Sequence, residues 1–213
     1  MKNLLLFFIF GLFINLPATI INIPADQPTI QAGLNIAVEG DSVIVADGIY
    51  YENIEWPETD GIILISENGA DQTIIDGSGI SITLEIDDQY SPVSITNSTI
   101  VDGFTIRKGT GFVGGGICLS GADPIIQNCI IENNSAEEGG GIFHGGSKAI
   151  IRNNIIRNNS CSVGSAIGLN CSSADIFDNE IYDNNGIRTI NCYQTDNHSI
   201  SNNEITTVLL ELV

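Results

Sequence analysis

Four charged residues in the middle of the chain are the first candidates for chemistry. Each follows a short apolar run, and the four alternate in sign: Arg107, Glu132, Arg157 and Asp183. A guanidinium beside a carboxylate can hold an anionic substrate or take part in acid–base catalysis. Ion pairs between stacked repeats would produce the same alternation, and each is worth only about 0 to 1 kcal/mol if it faces solvent. We predict a charge ladder, which is either a structural stack or a substrate groove.

Histidine and cysteine give little support for a metal site. The only histidines, His144 and His198, are about two repeats apart, so we predict solvated turn positions rather than joint metal ligands. The five cysteines contain no CxxC pair, and their odd number leaves at least one unpaired within the chain. We predict small buried hydrophobes and no cofactor, while Ca²⁺ binding by the many aspartates stays open. The cysteines are Cys118, Cys129, Cys161, Cys171 and Cys192.

The charge balance restricts the partners. Seven basic and 26 acidic residues give a net charge of −19. Nucleic acids and anionic membranes require a basic face, so both are excluded as partners. A polysaccharide or another cell-surface partner remains compatible with the composition.

The N-terminus has the layout of a secretory signal peptide. A short positive start precedes an apolar run from Leu4 to Ile14, and small or turn-forming residues follow up to Ala18. The run is shorter than the about 20 residues of a spanning helix, although a retained membrane anchor is the alternative. We predict a signal peptide at 1–18, and a secreted or cell-surface domain at 19–213 that does not insert into the membrane.

The elements that position these residues repeat along the chain. Short Ile/Val-rich runs recur with Gly, Asn and Asp between them, in steps of 24 to 26 residues, and none has a helical period. A second series places Ile117, Ile142 and Ile167 at a step of 25. Units of this size bury their apolar residues only by stacking, which predicts an all-β parallel β-helix of about seven coils. The aligned turn residues are Gly77, Gly103 and the predicted asparagine ladder Asn128, Asn153, Asn179 and Asn203.

The stretch before the repeats predicts a cap. Thr29 is a candidate helix N-cap, and Ile30, Leu34 and Ala37 lie on one helical face. We predict an N-terminal capping helix within residues 28–39. The C-terminal text "TTVLLELV" offers no cap, so the chain is expected to be a fragment or to dock against something.

These motifs resemble the right-handed parallel β-helix superfamily, the pectin-lyase-like fold. The opening, from Thr29 through Gly40-Asp41 to Glu52-Asn53-Ile54, is similar to the first coil of pectin methylesterases and of uncharacterised secreted bacterial β-helix proteins. The "GGGI" copies are similar to coils of large surface proteins. The resemblance covers residues 23 to about 206 and implies the fold, but only weakly an activity.

The catalytic sets that this resemblance implies are incomplete. At the methylesterase positions "NNSAEEGGGI" and "NNSCSVGSAI" contain no aligned aspartate. Asp87-Asp88 and Phe143-His144-Gly145 faintly resemble the catalytic motifs of polygalacturonases. The two motifs are more than two coils apart, whereas the catalytic carboxylates of such enzymes must lie about 5 to 9.5 Å from each other. Arg107 or Arg157 could be the arginine base of a pectate lyase. We therefore assign no catalytic residue.

Three functions compete at this point. We favour a secreted, non-catalytic β-helix module at the cell surface with a structural or binding role, which includes carbohydrate binding. The first alternative is a polysaccharide lyase or carbohydrate esterase acting on acidic polysaccharide. The second is a fragment of a larger adhesin-like surface protein. An acid cluster on one exposed strand face would favour the enzyme.

Overall fold

The computed structural model of the protein describes residues 17–87, 93–146, 148–170, 173–193 and 199–206. Most of the predicted signal peptide lies outside these residues, as do Asp88, Cys171, His198 and the segment 207–213. The described residues form one short helix and many short strands. In chain order these are β1 (Ile20–Ile23), α1 (Ile30–Ile36), β2 (Ser42–Val45), β3 (Gly48–Tyr50), β4 (Ile54–Glu55), β5 (Ile63–Ser66), β6 (Thr73–Asp76), β7 (Leu84–Asp87), β8 (Ile100–Asp102), β9 (Thr105–Arg107), β10 (Thr110–Val113), β11 (Ile117–Ser120), β12 (Ile125–Gln127), β13 (Ile130–Glu132), β14 (Ser135–Glu138), β15 (Ile142–Gly145), β16 (Ile150–Arg152), β17 (Ile155–Arg157), β18 (Ser160–Val163), β19 (Ile167–Asn170), β20 (Asp175–Phe177), β21 (Glu180–Tyr182), β22 (Ile190–Tyr193), β23 (Ser199–Ser201) and β24 (Glu204–Thr206).

Four parallel sheets form the walls of a solenoid. Sheet A has the order β1-β2-β5-β8-β12-β16-β20-β23, sheet B β24-β21-β17-β13-β9-β6-β3, sheet C β22-β19-β15-β11-β7-β4, and sheet D β10-β14-β18. In the middle coils the chain visits sheets A, B, D and C in turn before it rises to the next coil. The predicted fold class, an all-β parallel β-helix with an N-terminal helix, is confirmed.

Equivalent residues stack directly on one another, so every inward position becomes a column of similar side chains. On sheet B, Ile106, Ile131 and Ile156 pair in register and are fully buried. Burial of one such side chain contributes about 1.5–3 kcal/mol, and a single coil could not provide it alone. The repeated isoleucines in the sequence are therefore the core of the solenoid.

Two tight corners, one on each side of sheet B, recur in the middle coils. Each contains a residue with a positive φ, such as Asn153 at 54° and Asn158 at 55°. Asparagine and aspartate visit this left-handed region more readily than other residues with a Cβ, which explains their frequency here. The corner residues of this kind are Lys108, Asn128, Asn133, Asn153, Asn158, Asp178, Asp183 and Asn202.

The predicted cap is present as α1, and it closes the exposed edge of sheet C. The Thr29 hydroxyl caps the helix, and the Glu52 carboxylate accepts hydrogen bonds from the N–H groups of Ile30 and Gln31, each at 3.0 Å. The Gln31 amide donates to the Glu55 carbonyl at 2.8 Å and accepts from the Glu55 N–H at 2.9 Å. Gln31 therefore bonds the edge of β4 as a neighbouring strand would. The opening segment from Thr29 to Glu55 therefore builds the cap.

Candidate functional site

The charge ladder lies on the outward face of sheet B. Asp76, Arg107, Glu132, Arg157 and Tyr182 occupy equivalent positions on successive strands. Arg107 Nε donates to Asp76 Oδ2 at 2.8 Å, and Arg157 Nε donates to Glu132 Oε2 at 2.8 Å. Arg157 Nη1 also donates to the Tyr182 hydroxyl at 2.9 Å. Both guanidinium groups are thus held along the solenoid axis by their neighbours.

The prediction that Asp183 belongs to this ladder was wrong. Tyr182 pairs with Arg157, and Asp183 lies one residue later, in the corner, with a φ of 52°. In the sequence Ile181-Tyr182 looks like the Ile-Ile pair of the other coils. However, Glu180 is the partner of Ile155, so only Ile181 of that pair points into the core.

Asp76 is the most strongly bound carboxylate of the ladder. Its side chain is 1 % exposed and contacts both Arg107 and the Lys108 ammonium, the latter at 2.9 Å. Burial disfavours its ionised form, but the hydrogen bonds from Lys108, Arg107 and the Ser78 N–H outweigh burial and hold the pKa of Asp76 below its usual range. This group joins two coils and is not available to a substrate.

A second outward ladder, on sheet A, is also made of polar side chains that bond from one coil to the next. Gln127 Nε2 donates to Asp102 Oδ2 at 2.7 Å. Arg152 donates to Gln127 Oε1 through Nε at 2.9 Å and through Nη2 at 2.7 Å. Phe177 occupies the next rung after Arg152. Here too the polar groups bond along the axis, coil to coil.

Buried asparagines form two further ladders at the corners. In one, Asn154 Nδ2 donates to Asn179 Oδ1 at 3.1 Å, and Asn179 Nδ2 donates to Asn203 Oδ1 at 2.9 Å. Asn134 and Asn159 are linked in the same way at 3.0 Å in the other ladder, which continues to Asn184. Each buried amide also donates to a backbone carbonyl of the coil below, for example Asn154 to Ile126 at 3.0 Å. These ladders satisfy backbone groups that the corners would otherwise leave unpaired.

The asparagine ladder predicted from the sequence was therefore wrong in register. Asn179 and Asn203 are in a buried ladder, but their partner is Asn154. Asn128 and Asn153 are the preceding corner residues, exposed and left-handed. Gly77 is also misaligned with Gly103, because Asp76 pairs with Arg107 and Gly77 thus aligns with Lys108. Each corner holds two adjacent polar residues with different tasks, and matching by residue type selected the wrong one.

His144 is buried in the core, which corrects the predicted solvated turn position. It is stacked between Leu119 of the preceding coil and Leu169 of the next coil, in an inward column of sheet C. Its side chain is 0 % exposed. Its Nε2 accepts a hydrogen bond from the Ala149 N–H at 3.2 Å, which ties β15 to the entry of the next coil. Burial lowers the pKa of His144 to about 4, against the opposing charge of Asp123 and a backbone hydrogen bond to Ala122. This histidine is neutral at physiological pH and cannot reach a substrate.

Acidic side chains meet on the outward face of sheet C. Glu55 and Glu85 are paired rungs of β4 and β7, and Asp87 follows on the same face of β7. Burial raises the pKa of Glu85, and the charges of Asp87 and Glu55 raise it further. Cys118 is the next rung after Glu85, and burial raises the pKa of its thiol to about 11. The structure thus places one half-buried acid beside two exposed ones.

Metal ligands and thiols form no centre in the described part of the chain. No group of three or more His, Cys, Asp or Glu side chains is arranged there to hold a metal ion. Cys118, Cys129, Cys161 and Cys192 are all free thiols, and the first three are buried. The one helix of the described residues, α1, is not long and apolar enough to cross a bilayer. The Ca²⁺ expectation stays a prediction.

The stacked parallel coils agree with a comparison against known families. The family model described as "Right handed beta helix region" matches residues 35–206. The chain belongs to the right-handed β-helix family. No curated protein and no solved structure matches it.

For this β-helix protein, several relevant residues escaped the sequence reasoning. The Asn154 and Asn159 ladders had a signal in the repeated Asn-Asn pairs, but the pairs do not show which asparagine is buried. The cluster of Glu55, Glu85 and Asp87 had none, because the coils at this end do not share the 25-residue step of the middle coils. Family membership fixes the architecture of the chain and leaves its chemistry to such sites.

Proposed function

We propose that the protein is an extracellular, non-catalytic β-helix module that binds carbohydrate at a cell surface. One observation carries this proposal: the functional groups on the middle coils are bonded to one another. Arg107 is paired with Asp76, Arg157 with Glu132, and Arg152 with Gln127. A base or electrophile must instead point at the reacting atom of a substrate.

The charge of the molecule also disfavours acidic polysaccharides. With a net charge of −19, the surface repels polyuronates. Three of the cations that could attract such polymers, Arg107, Lys108 and Arg157, are already ion-paired on sheet B. Neutral or cationic sugars are therefore the better ligands.

The test combines an activity assay with a binding screen. The protein without the predicted signal peptide is incubated with pectin, polygalacturonate and alginate, with and without Ca²⁺, over a wide pH range. We expect neither unsaturated products nor methanol release, and we expect binding to at least one class of glycan on an array. Cleavage that is lost in Arg157→Ala would replace the proposal with a lyase or esterase, and an empty array would remove the binding role.

A second candidate function, glycoside hydrolysis, is favoured by the cluster on sheet C. Glu85 and Asp87 point outward from the same strand, and the raised pKa of Glu85 would keep it protonated to higher pH, as a general acid requires. Release of reducing ends from neutral glycans by the wild type, and its loss in Glu85→Gln, would establish this function instead. We expect no release from either protein.

A further inference from the structure

A cleft of about 500 Å³ lies where the capping helix meets the first strand of sheet C. Gln31 and Asn35 of α1 form one wall, and Glu55, Trp56 and Glu58 form the other. Asn53 and Pro57 complete the lining. The volume is that of a site for a small ligand and not for a folded partner.

The walls of this cleft are held in place by hydrogen bonds. Gln31 is fixed against the backbone of Glu55, and it also donates to Asn35 Oδ1 at 2.8 Å. Asn53 Nδ2 contacts three carbonyls of the following turn, of which Ile82 is the nearest at 2.9 Å. A site that is ordered in advance loses little entropy when a ligand binds.

The hydrogen-bonding groups that remain are mainly acceptors. No described residue donates to the carboxylates of Glu55 and Glu58, which are both exposed. The lining described here includes no lysine, arginine or histidine. The Oδ1 of Asn35 is used by Gln31, so its Nδ2 can donate to a ligand. The Nδ2 of Asn53 is used by backbone carbonyls, so its Oδ1 can accept from a ligand. Such a site favours a ligand that carries both a positive charge and hydroxyl groups.

We propose that this cleft binds an amino sugar with an unacetylated amine. The ammonium group lies between Glu55 and Glu58, and the sugar hydroxyls bond to Asn35 and Asn53. The sugar ring contacts the part of Trp56 that reaches the cleft, since this side chain is otherwise buried at 8 % exposure. A lysine side chain offers the charge but neither the hydroxyls nor the ring, so it uses only part of the lining. This inference rests on the proposed carbohydrate-binding role and specifies its ligand and its site.

The experiment uses the fact that Trp56 is the single tryptophan of the chain. Its fluorescence is followed while the protein is titrated with a glucosamine tetrasaccharide, its N-acetylated form, tetragalacturonate or tetralysine, with calorimetry on the same solutions. We expect the glucosamine tetrasaccharide to bind at least about tenfold more tightly than each of the others, because only it forms the charge-assisted hydrogen bonds and the ring contact. Equal binding of the acetylated sugar or of tetralysine would overturn the inference. Binding seen by calorimetry without a change in Trp56 emission would place the sugar elsewhere and overturn it too.

A matched pair of variants locates the charge. Glu58→Gln removes one carboxylate of the cleft, and Glu67→Gln removes one exposed carboxylate elsewhere, so both lower the net negative charge equally. We expect Glu58→Gln to weaken glucosamine binding by about tenfold and Glu67→Gln to leave it within about twofold. Equal effects would show general attraction and contradict the site. Array binding to another glycan only would sink this inference and keep the proposed function, whereas no glycan binding would remove both.

Discussion

The buried asparagine ladder provides the sharpest test of the coil register. We predict that Asn154→Leu destabilises the protein far more than Asn153→Leu, although the two positions are adjacent. Asn154 is 1 % exposed and makes hydrogen bonds to three groups on two other coils. Asn153 is exposed and serves the corner through its φ of 54°.

The expected magnitudes follow from these contacts. Leucine at 154 leaves the Cys129 N–H, which now donates to Asn154 Oδ1 at 2.9 Å, buried without that acceptor. An orphaned buried group costs about 1–3 kcal/mol, and the bonds to Ile126 and Asn179 add about 0.5–1.5 kcal/mol each. We expect a loss of about 3 kcal/mol in the free energy of unfolding. Leucine at 153 only places a branched side chain in the left-handed region, at a cost of about 1 kcal/mol.

Urea unfolding followed by far-UV circular dichroism measures both losses. With a slope of about 2–3 kcal/mol per M, Asn154→Leu should lower the midpoint by about 1 M or more, and Asn153→Leu by less than half of that. Asn153→Gly is the control for backbone strain and should unfold within about 0.5 kcal/mol of the wild type. A larger loss for Asn153→Leu than for Asn154→Leu would refute the register described here.

Three further predictions concern the titratable groups. Because the pKa of His144 is lowered to about 4 from 6.5, protonation favours the unfolded chain, and stability is lost as the pH falls from about 6.5 towards 4. The variant His144→Leu matches the neighbouring Leu119 and Leu169, and it should abolish up to about 3 kcal/mol of that loss of stability. The measurement is the urea midpoint of both proteins at pH 7 and at pH 4.5. An equal shift of the midpoint between the two pH values in wild type and variant would contradict this prediction. Asp76→Asn should lower the free energy of unfolding by about 2 kcal/mol at pH 7, because Arg107 and Lys108 lose a charged partner. This difference from the wild type should vanish as the pH falls through the depressed pKa of Asp76. The control is Asp71→Asn at an exposed position, which should leave the free energy of unfolding unchanged. Burial raises the pKa of the Cys129 thiol to about 12, so a thiol reagent at pH 8 should label Cys129 and Cys118 only after urea is added, and labelling of either in the native protein would contradict their burial.

Acid sensitivity and the ladders share one physical cause. Several polar side chains of this solenoid are bonded to the coil above or below them, so their loss is felt across a coil interface. His144 joins β15 to the next coil through Ala149, and Asp76 joins β6 to β9 through Arg107. The same contacts that stabilise the stack remove these groups from chemistry.

The sequence by itself determined the architecture. Repeated Ile pairs at a step near 25 residues can bury their side chains only in stacked coils, because a unit of this size has no core of its own. Thr29 and the apolar spacing that follows it likewise predicted α1, since helix caps and helical faces depend on local chemistry. The alternating charges of Arg107, Glu132 and Arg157 lie on one ladder because their coils have equal lengths.

Only the tertiary structure decided the details on which a site depends. Neighbouring asparagines such as Asn153 and Asn154 are chemically identical, and their burial follows from which one faces the corner of the coil below. From the sequence His144 was predicted to lie in a turn, and only the pairing with Leu119 and Leu169 shows that its side chain points into the core. The cleft of Trp56 and Glu58 exists because α1 folds over the start of sheet C, which brings residues from separate segments together. Side chains acquire a function through neighbours that are distant in the chain, and a local pattern carries no record of those neighbours.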